Sequence, residues 1–126
     1  QKIENYRNRD ISTLSSSDEE DIRHLFNQFL EALQIDSGKM QGRKSPTAVA
    51  KTLHLLAPNF FPLWDDKIAR AYRCYYNENP AEKYISFCKI TKSIADRVKD
   101  YFVRSDKTLT KLIDEYNYSK YTQGWI

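Results

Sequence analysis

The stretch SPTAVAKTLHLLAPNFFPLWDDKIARAYRCYY, residues 45–76, decides how this chain folds. Ser45 and Pro46 predict a helix start, because serine caps free N–H groups and proline suits the first turn. Pro58 ends that helix, and an aromatic connector over residues 59–64 follows. Asp65 is placed to cap the next helix. The pattern therefore predicts two helices joined by a short, rigid connector whose rings enter the core.

Outside this stretch, the spacing of apolar residues predicts further helices. A capping box of Ser17 with Asp18-Glu19-Glu20 starts a helix that runs to about residue 34. Residues 79–82 (NPAE) start a long helix that runs to about residue 103, and residues 105–106 (SD) start a last one. We expect a short helix or an arm over residues 1–16, and an aromatic tail docked on the body. Together these patterns predict an all-α fold of five or six helices.

Length and composition favour one compact domain over residues 1–126, which is long enough to bury a core. The glutamine at position 1 is also compatible with a fragment of a longer protein. The net charge of +3 is mildly basic and is typical of an ordinary solvated surface. With no signal peptide and no apolar run of membrane-spanning length, we expect a cytoplasmic protein without a membrane partner.

The two cysteines, Cys74 and Cys88, fit no C-x-x-C metal or redox pattern. Each lies among apolar residues, which favours two buried thiols in a reducing compartment, with a disulfide as the alternative.

A basic loop, residues 38–45 (GKMQGRKS), precedes the helix that starts at Ser45. Free N–H groups and positive charge converge at such a helix start, which suits phosphate. The loop is not a P-loop, because its glycine spacing is one residue short and no strand precedes it. The residues predicted to contact DNA or RNA phosphate are Lys39, Gly42, Arg43, Lys44 and Ser45. Non-catalytic nucleic-acid binding is the favoured function, and a simple solvated loop is the competing interpretation.

Asp65 has two interpretations. It is either a structural helix cap or a catalytic carboxylate, and catalysis requires a substrate pocket beside it. Asp66 points in another direction, so the two do not form a carboxylate pair. His54 is expected to be a hydrogen-bonded packing residue, and Lys51 is expected on the solvent side of its helix. With His24 the only other histidine, the sequence predicts no metal site and no cofactor.

Residues 72–76 mix tyrosines with an arginine, at Tyr72, Arg73, Tyr75 and Tyr76. Aromatic rings mixed with positive charge are typical of proteins that bind single strands, but the same spacing matches the inner face of a helix. We expect at least two of these tyrosines in the core. A third hypothesis for the protein is an interaction module whose tyrosine-rich helices and tail form a homodimer surface.

Two resemblances arise from the deciding stretch. The segment from Lys51 to Asp65 resembles a K-x-L-H-x-x-x-P signature, followed by F-P-x-W-D, of uncharacterised prokaryotic helical proteins. That resemblance implies an all-helical fold and no particular function.

Residues 42–48 (GRKSPTA), the apolar helix after them and residues 62–70 (PLWDDKIAR) are similar to the core of helix-hairpin-helix DNA glycosylases. The resemblance implies that hairpin N–H groups hold DNA phosphate, that Asp65 is the catalytic aspartate, and that Lys44 is the Schiff-base lysine of bifunctional members. The chain differs from that family in carrying Met40 where a second hairpin glycine falls and in inserting Ser45-Pro46 after Lys44.

Overall fold

Three short 3-10 turns, Ile3–Asn5, Ile11–Thr13 and Ser16–Asp18, open the chain. The structure is a computed structural model that describes residues 3–34, 42–101 and 106–126. The segment predicted as a short helix or an arm forms these three turns and packs closely on the body. Tyr6 and Ile11 are buried, and the Ile11 N–H donates to the Asn59 carbonyl at 3.0 Å. This hydrogen bond ties the N-terminal segment to the connector.

Helix α1, Glu19–Ala32, starts later than its sequence predicts. Ser17 is not its cap. The capping box is formed by Ser15 and Asp18 around the preceding 3-10 turn, and Arg9 holds the Asp18 carboxylate with contacts of 2.9 and 2.7 Å. Ser15 and not Ser17 forms the capping box, because the Asp18 carboxylate is bound by both the Ser15 N–H and the Arg9 guanidinium.

Helices α2, Pro46–Leu56, and α3, Asp66–Ala71, flank the connector as predicted. Ser45 caps α2, and Asp65 caps α3. The connector rings enter the core as expected, because Phe60, Phe61 and Trp64 are at most 2 % exposed.

Helix α4, Pro80–Val98, begins where the sequence predicts and ends five residues early, in a 3-10 turn at Lys99–Tyr101. Helix α5, Leu109–Asn117, begins after Thr108, whose hydroxyl accepts from the Lys111 N–H. The expected start at residues 105–106 was wrong by three positions. A π-helical turn, Tyr118–Thr122, follows α5 directly.

The core is largely aromatic and forms where α4 packs on α1, on α5 and on the second 3-10 turn. The Trp64 ring lies 5.2 Å from Tyr84 and 6.2 Å from Phe26, measured between ring centroids. The Tyr84 hydroxyl donates to the Pro62 carbonyl at 2.7 Å, which fixes the connector to α4.

The predicted all-α fold is confirmed, with five α-helices and no strand in residues 3–34, 42–101 and 106–126. Over the same ranges, every helix lacks either the length or the apolar character needed to cross a bilayer.

Candidate functional site

The basic loop is described from Gly42 onward and leads directly into α2. Gly42 has φ +83°, a left-handed backbone that glycine adopts without strain. Arg43 is exposed and has no ion pair within the described ranges, whereas Lys44 pairs with Glu31 near the end of α1. Lys39 lies outside the described residues. Arg43 is therefore the available cation of the described part of this loop.

The start of α2 offers few free backbone donors. The Ser45 hydroxyl accepts from the Ala48 N–H at 3.2 Å, and the Val49 N–H donates to the Ser45 carbonyl. Pro46 has no N–H to give. The first turn thus leaves the N–H of Thr47, so any phosphate here depends on side-chain charge more than on backbone groups.

Asp65 uses both oxygens of its carboxylate. Oδ1 accepts from the Ile68 N–H at 2.8 Å, which confirms the predicted helix cap. Oδ2 accepts from the Thr122 hydroxyl at 2.5 Å, a contact from the far end of the chain. The carboxylate therefore also anchors the tail, a role that its sequence position did not reveal.

A cavity of about 260 Å³ lies beside Asp65. Its walls combine apolar and polar groups from the connector, α2, α3, α5 and the π-helical turn: Lys51, Leu63, Trp64, Asp65, Ile68, Asp114, Tyr118 and Thr122. The lysine that lines it with Asp65 is Lys51, exposed as predicted, and not Lys44. The glycosylase resemblance assigns chemistry to Asp65 and Lys44. Asp65 lines this cavity, whereas Lys44 forms an ion pair with Glu31 of α1.

Asp114 is the residue that sequence reasoning missed. It is 4 % exposed, and its Oδ1 accepts from the Leu63 N–H at 3.1 Å. Burial raises the pKa of this carboxyl from its ordinary 3.8 to about 7, against the opposing effects of the Leu63 N–H and the Lys111 charge. Asp114 therefore changes its charge near neutral pH.

His54 lies next to this carboxyl. Its Nδ1 is 2.8 Å from the Phe61 carbonyl oxygen, so Nδ1 carries the proton and donates it there. The prediction of a hydrogen-bonded packing residue is confirmed. Asp114 Oδ2 is 3.6 Å from the same nitrogen, which is an electrostatic contact and too long for a hydrogen bond. The histidine thus joins α2, the connector and α5.

The buried face of α5 explains why Asp114 was missed. Apolar spacing predicts a stripe of Leu109, Leu112, Ile113 and Tyr116, but the buried side chains are Thr110, Ile113, Asp114 and Asn117. The true stripe has the same helical period and is mostly polar, so hydropathy alone gives no signal for it.

The two cysteines are buried free thiols, as predicted. Burial raises the pKa of both thiols, so neither forms a reactive thiolate readily. The expected burial of the tyrosines after α3 is partial: Tyr72, Tyr75 and Tyr76 pack against the core with intermediate exposure. Within residues 3–34, 42–101 and 106–126, no group of three or more histidine, cysteine or acidic side chains is arranged to hold a metal ion.

The site therefore combines a cavity, the helix-capping Asp65, the buried carboxyl of Asp114 and the lysine Lys51. Asp65 and Asp114 are acidic groups in different environments, one hydrogen-bonded on both oxygens and one shielded from water. Such pairs can divide acid and base roles in bond cleavage. Comparison of the chain with protein-family models, with curated proteins and with solved structures finds no match.

Proposed function

We propose that this protein binds nucleic acid without catalysis, through phosphate contacts of the basic loop at residues 38–45. The observation that supports this most is Arg43, an exposed cation with no ion pair in the described ranges, at the entry to α2. Its neighbour Lys44 is held by Glu31 in an exposed pair, 44 % and 63 % exposed at the two side chains. Exposed pairs contribute little, about 0–1 kcal/mol, so a phosphate can replace Glu31 as the partner of Lys44.

Salt dependence tests this function directly. Binding of fluorescein-labelled 20-nucleotide DNA, single-stranded and duplex, is followed by anisotropy between 50 and 200 mM NaCl. Each lost phosphate contact lowers the salt slope by about 0.7 to 0.9. The double variant Arg43→Ala/Lys44→Ala should therefore lower the slope by roughly 1.4 to 1.8 and weaken binding to all sequences alike.

A variant that removes the same charge elsewhere serves as the control. Arg97→Ala/Lys99→Ala alters two exposed cations at the end of α4 and changes the net charge identically. It should leave the slope close to that of the parent protein. Equal effects of the two double variants would show that general charge, and not the loop, governs binding.

A second candidate is glycosylase-like cleavage of an N-glycosidic bond, because a cavity with both apolar and polar walls adjoins Asp65. In that reaction the Asp65 carboxylate stabilises the positive charge that develops on the sugar as its bond to the base breaks. The base leaves with the bonding electrons, and water adds to the sugar while its proton goes to the base. A base taken out of the stack would occupy the cavity.

Asparagine at position 65 separates helix capping from catalysis, because asparagine caps helices about as well as aspartate but carries no negative charge. Asp65→Asn should keep the circular dichroism spectrum and abolish release of uracil, alkylated or oxidised bases from labelled oligonucleotides. Lack of release by the parent protein across that panel would exclude this candidate and leave the binding proposal standing.

A further inference from the structure

Exposed apolar side chains concentrate in the C-terminal segment of the chain. Seven large apolar residues are exposed in the described ranges, and four of them lie within positions 116–126: Tyr116, Tyr118, Trp125 and Ile126. Tyr118 and Trp125 form a T-shaped pair with ring centroids 6.0 Å apart. Isolated exposed apolar residues are ordinary, but two exposed rings in contact with each other indicate a surface that binds a partner.

A glycine turn and two hydrogen bonds position the rings of this surface. Gly124 has φ +69°, and the turn that it makes brings the Trp125 N–H to the Ser119 carbonyl at 2.7 Å. The Gln123 side-chain amide donates to the Tyr118 hydroxyl at 2.6 Å. The two rings are thus held by backbone and side-chain hydrogen bonds while 44 % of Tyr118 and 68 % of Trp125 stay exposed.

The aromatic pair borders a groove of about 410 Å³, whose lining includes Leu63, Lys111, Tyr118 and Trp125. The groove meets the cavity beside Asp65, because Leu63, Asp114 and Tyr118 line both. A chain lying along the groove would therefore pass the mouth of that cavity.

Exposed lysines accompany the rings. Lys111 lines the groove, and Lys120 lies two positions after Tyr118 on the π-helical turn. Both are exposed and form no ion pair within residues 3–34, 42–101 and 106–126. Two acids also line the groove, and both are engaged or buried: Glu115 contacts Lys107 at 2.9 Å, and Asp114 is 4 % exposed. The groove therefore combines two exposed rings with an exposed lysine that forms no ion pair in the described ranges.

We propose that Tyr118, Trp125, Lys111 and Lys120, together the C-terminal face, bind single-stranded nucleic acid. Bases stack on the two rings, and the lysines contact the phosphates. Aromatic platforms beside cations are how proteins bind single strands without reading their sequence. Protein interfaces, in contrast, are depleted in lysine. The inference rests on the proposed function for its class of partner and adds a second contact surface and a preference for unpaired strands.

The test compares two variants that remove exposed aromatic rings. Tyr118→Ala/Trp125→Ala removes both rings of the C-terminal face, and Tyr101→Ala removes a tyrosine that is 82 % exposed at the end of α4. Binding of labelled oligothymidine of 20 nucleotides is measured by anisotropy in 100 mM NaCl. The double variant should bind at least tenfold more weakly, while duplex binding and the Tyr101→Ala variant stay within twofold of the parent protein.

Tryptophan fluorescence gives a second measurement, because Trp64 is buried and Trp125 is exposed. Oligothymidine should quench the Trp125 emission, and Trp125→Phe should abolish the quenching while it preserves most of the affinity. Unchanged oligothymidine affinity in Tyr118→Ala/Trp125→Ala would overturn the inference. So would sedimentation equilibrium that shows a dimer of the parent protein and a monomer of that variant, because the rings would then join two copies of this chain.

The two double variants test the basic loop and the C-terminal face independently. If Arg43→Ala/Lys44→Ala weakens binding and Tyr118→Ala/Trp125→Ala does not, the proposed function stands and this inference falls. The reverse pattern would keep the C-terminal face as the binding surface and remove the loop.

Discussion

The protein places its two tryptophans in opposite environments. Trp64 is 2 % exposed and lies within 6.4 Å of four aromatic rings, those of Phe26, Tyr76, Tyr84 and Phe87. Trp125 is 68 % exposed and, among residues 3–34, 42–101 and 106–126, has one ring neighbour, Tyr118. The same residue type thus serves the core in one region and faces solvent in the other.

The difference comes from what fixes each ring. Trp64 is the last residue of a connector that is held at two points, by the Ile11 N–H on the Asn59 carbonyl and by the Tyr84 hydroxyl on the Pro62 carbonyl. Trp125 follows a single glycine turn and one backbone hydrogen bond. Removing the first ring should therefore damage the whole fold, and removing the second should damage only its own surface.

Truncation of the two tryptophans should have the largest effect and the sharpest contrast. Trp64→Ala should lower the free energy of unfolding by about 3–5 kcal/mol, the usual cost of deleting a large buried aromatic ring. Trp125→Ala should change it by less than about 0.5 kcal/mol, as surface substitutions do. Urea denaturation followed by circular dichroism measures both, and a comparable loss in the two variants would refute the contrast.

The sequence anticipates the Trp64 side of this contrast better than the Trp125 side. Proline positions, helix caps and apolar spacing are local signals, and they place α2, the connector and α3 correctly. The tail was expected to dock, and its Thr122 does contact Asp65, but Trp125 and Ile126 stay exposed. Hydropathy does not distinguish a buried tryptophan from an exposed one, since that depends on how many distant residues surround it.

Asp114 should produce the next largest effect, as a dependence of stability on pH. The unfolded chain ionises this carboxyl near 3.8, and the folded protein ionises it near 7 because of burial. As the pH rises from about 4 to 7, the unfolded state loses the proton first. The free energy of unfolding should therefore fall across this range, by on the order of 4 kcal/mol at most, with no further loss above it.

Asp114→Asn tests this directly, because an amide cannot ionise and its oxygen can still accept from the Leu63 N–H. Urea midpoints between pH 4 and pH 8 should fall less steeply in the variant, which should also be the more stable protein at pH 8. Parallel pH profiles of the two proteins would show that Asp114 keeps its ordinary pKa. Glu115→Gln, an exchange of the neighbouring carboxyl, is the control and should retain the fall.

Asp65 should have an intermediate effect, because it caps α3 and anchors the tail. Asp65→Ala should cost about 1–2 kcal/mol, the upper part of the range for a lost cap. Thr122→Val removes the tail contact and leaves the cap. In urea denaturation, Asp65→Ala/Thr122→Val should therefore lose less free energy of unfolding than the two single variants lose together. Exact additivity would mean that the Thr122 hydrogen bond contributes nothing.

The candidate site divides in the same way between local and distant information. The Asp65 cap was predicted because it depends on residues three positions apart. The Thr122 and Asp114 contacts join positions 57 and 51 residues apart, and no pattern in one sequence pairs residues over such distances. The helix cap of Asp65 can therefore be derived from sequence, and the tertiary contacts of Asp65 and Asp114 cannot.

Gly124→Ala should have the smallest effect on stability and shows how little holds the C-terminal face in place. A side chain at φ +69° costs about 1–2 kcal/mol, and the added Cβ meets no atom within 4 Å, so backbone strain is the whole effect. Because the tail can relieve that strain by leaving Ser119, the loss should not reach the core. The urea midpoint should stay within error of the parent protein, while Trp125 emission shifts to the red and oligothymidine affinity falls.

Gly124→Asn should behave more like the parent protein, since asparagine tolerates a left-handed backbone. A drop in the urea midpoint as large as that of Asp65→Ala would instead mean that the tail folds as one unit with the core, and the contrast between the two tryptophans would then be one of exposure alone.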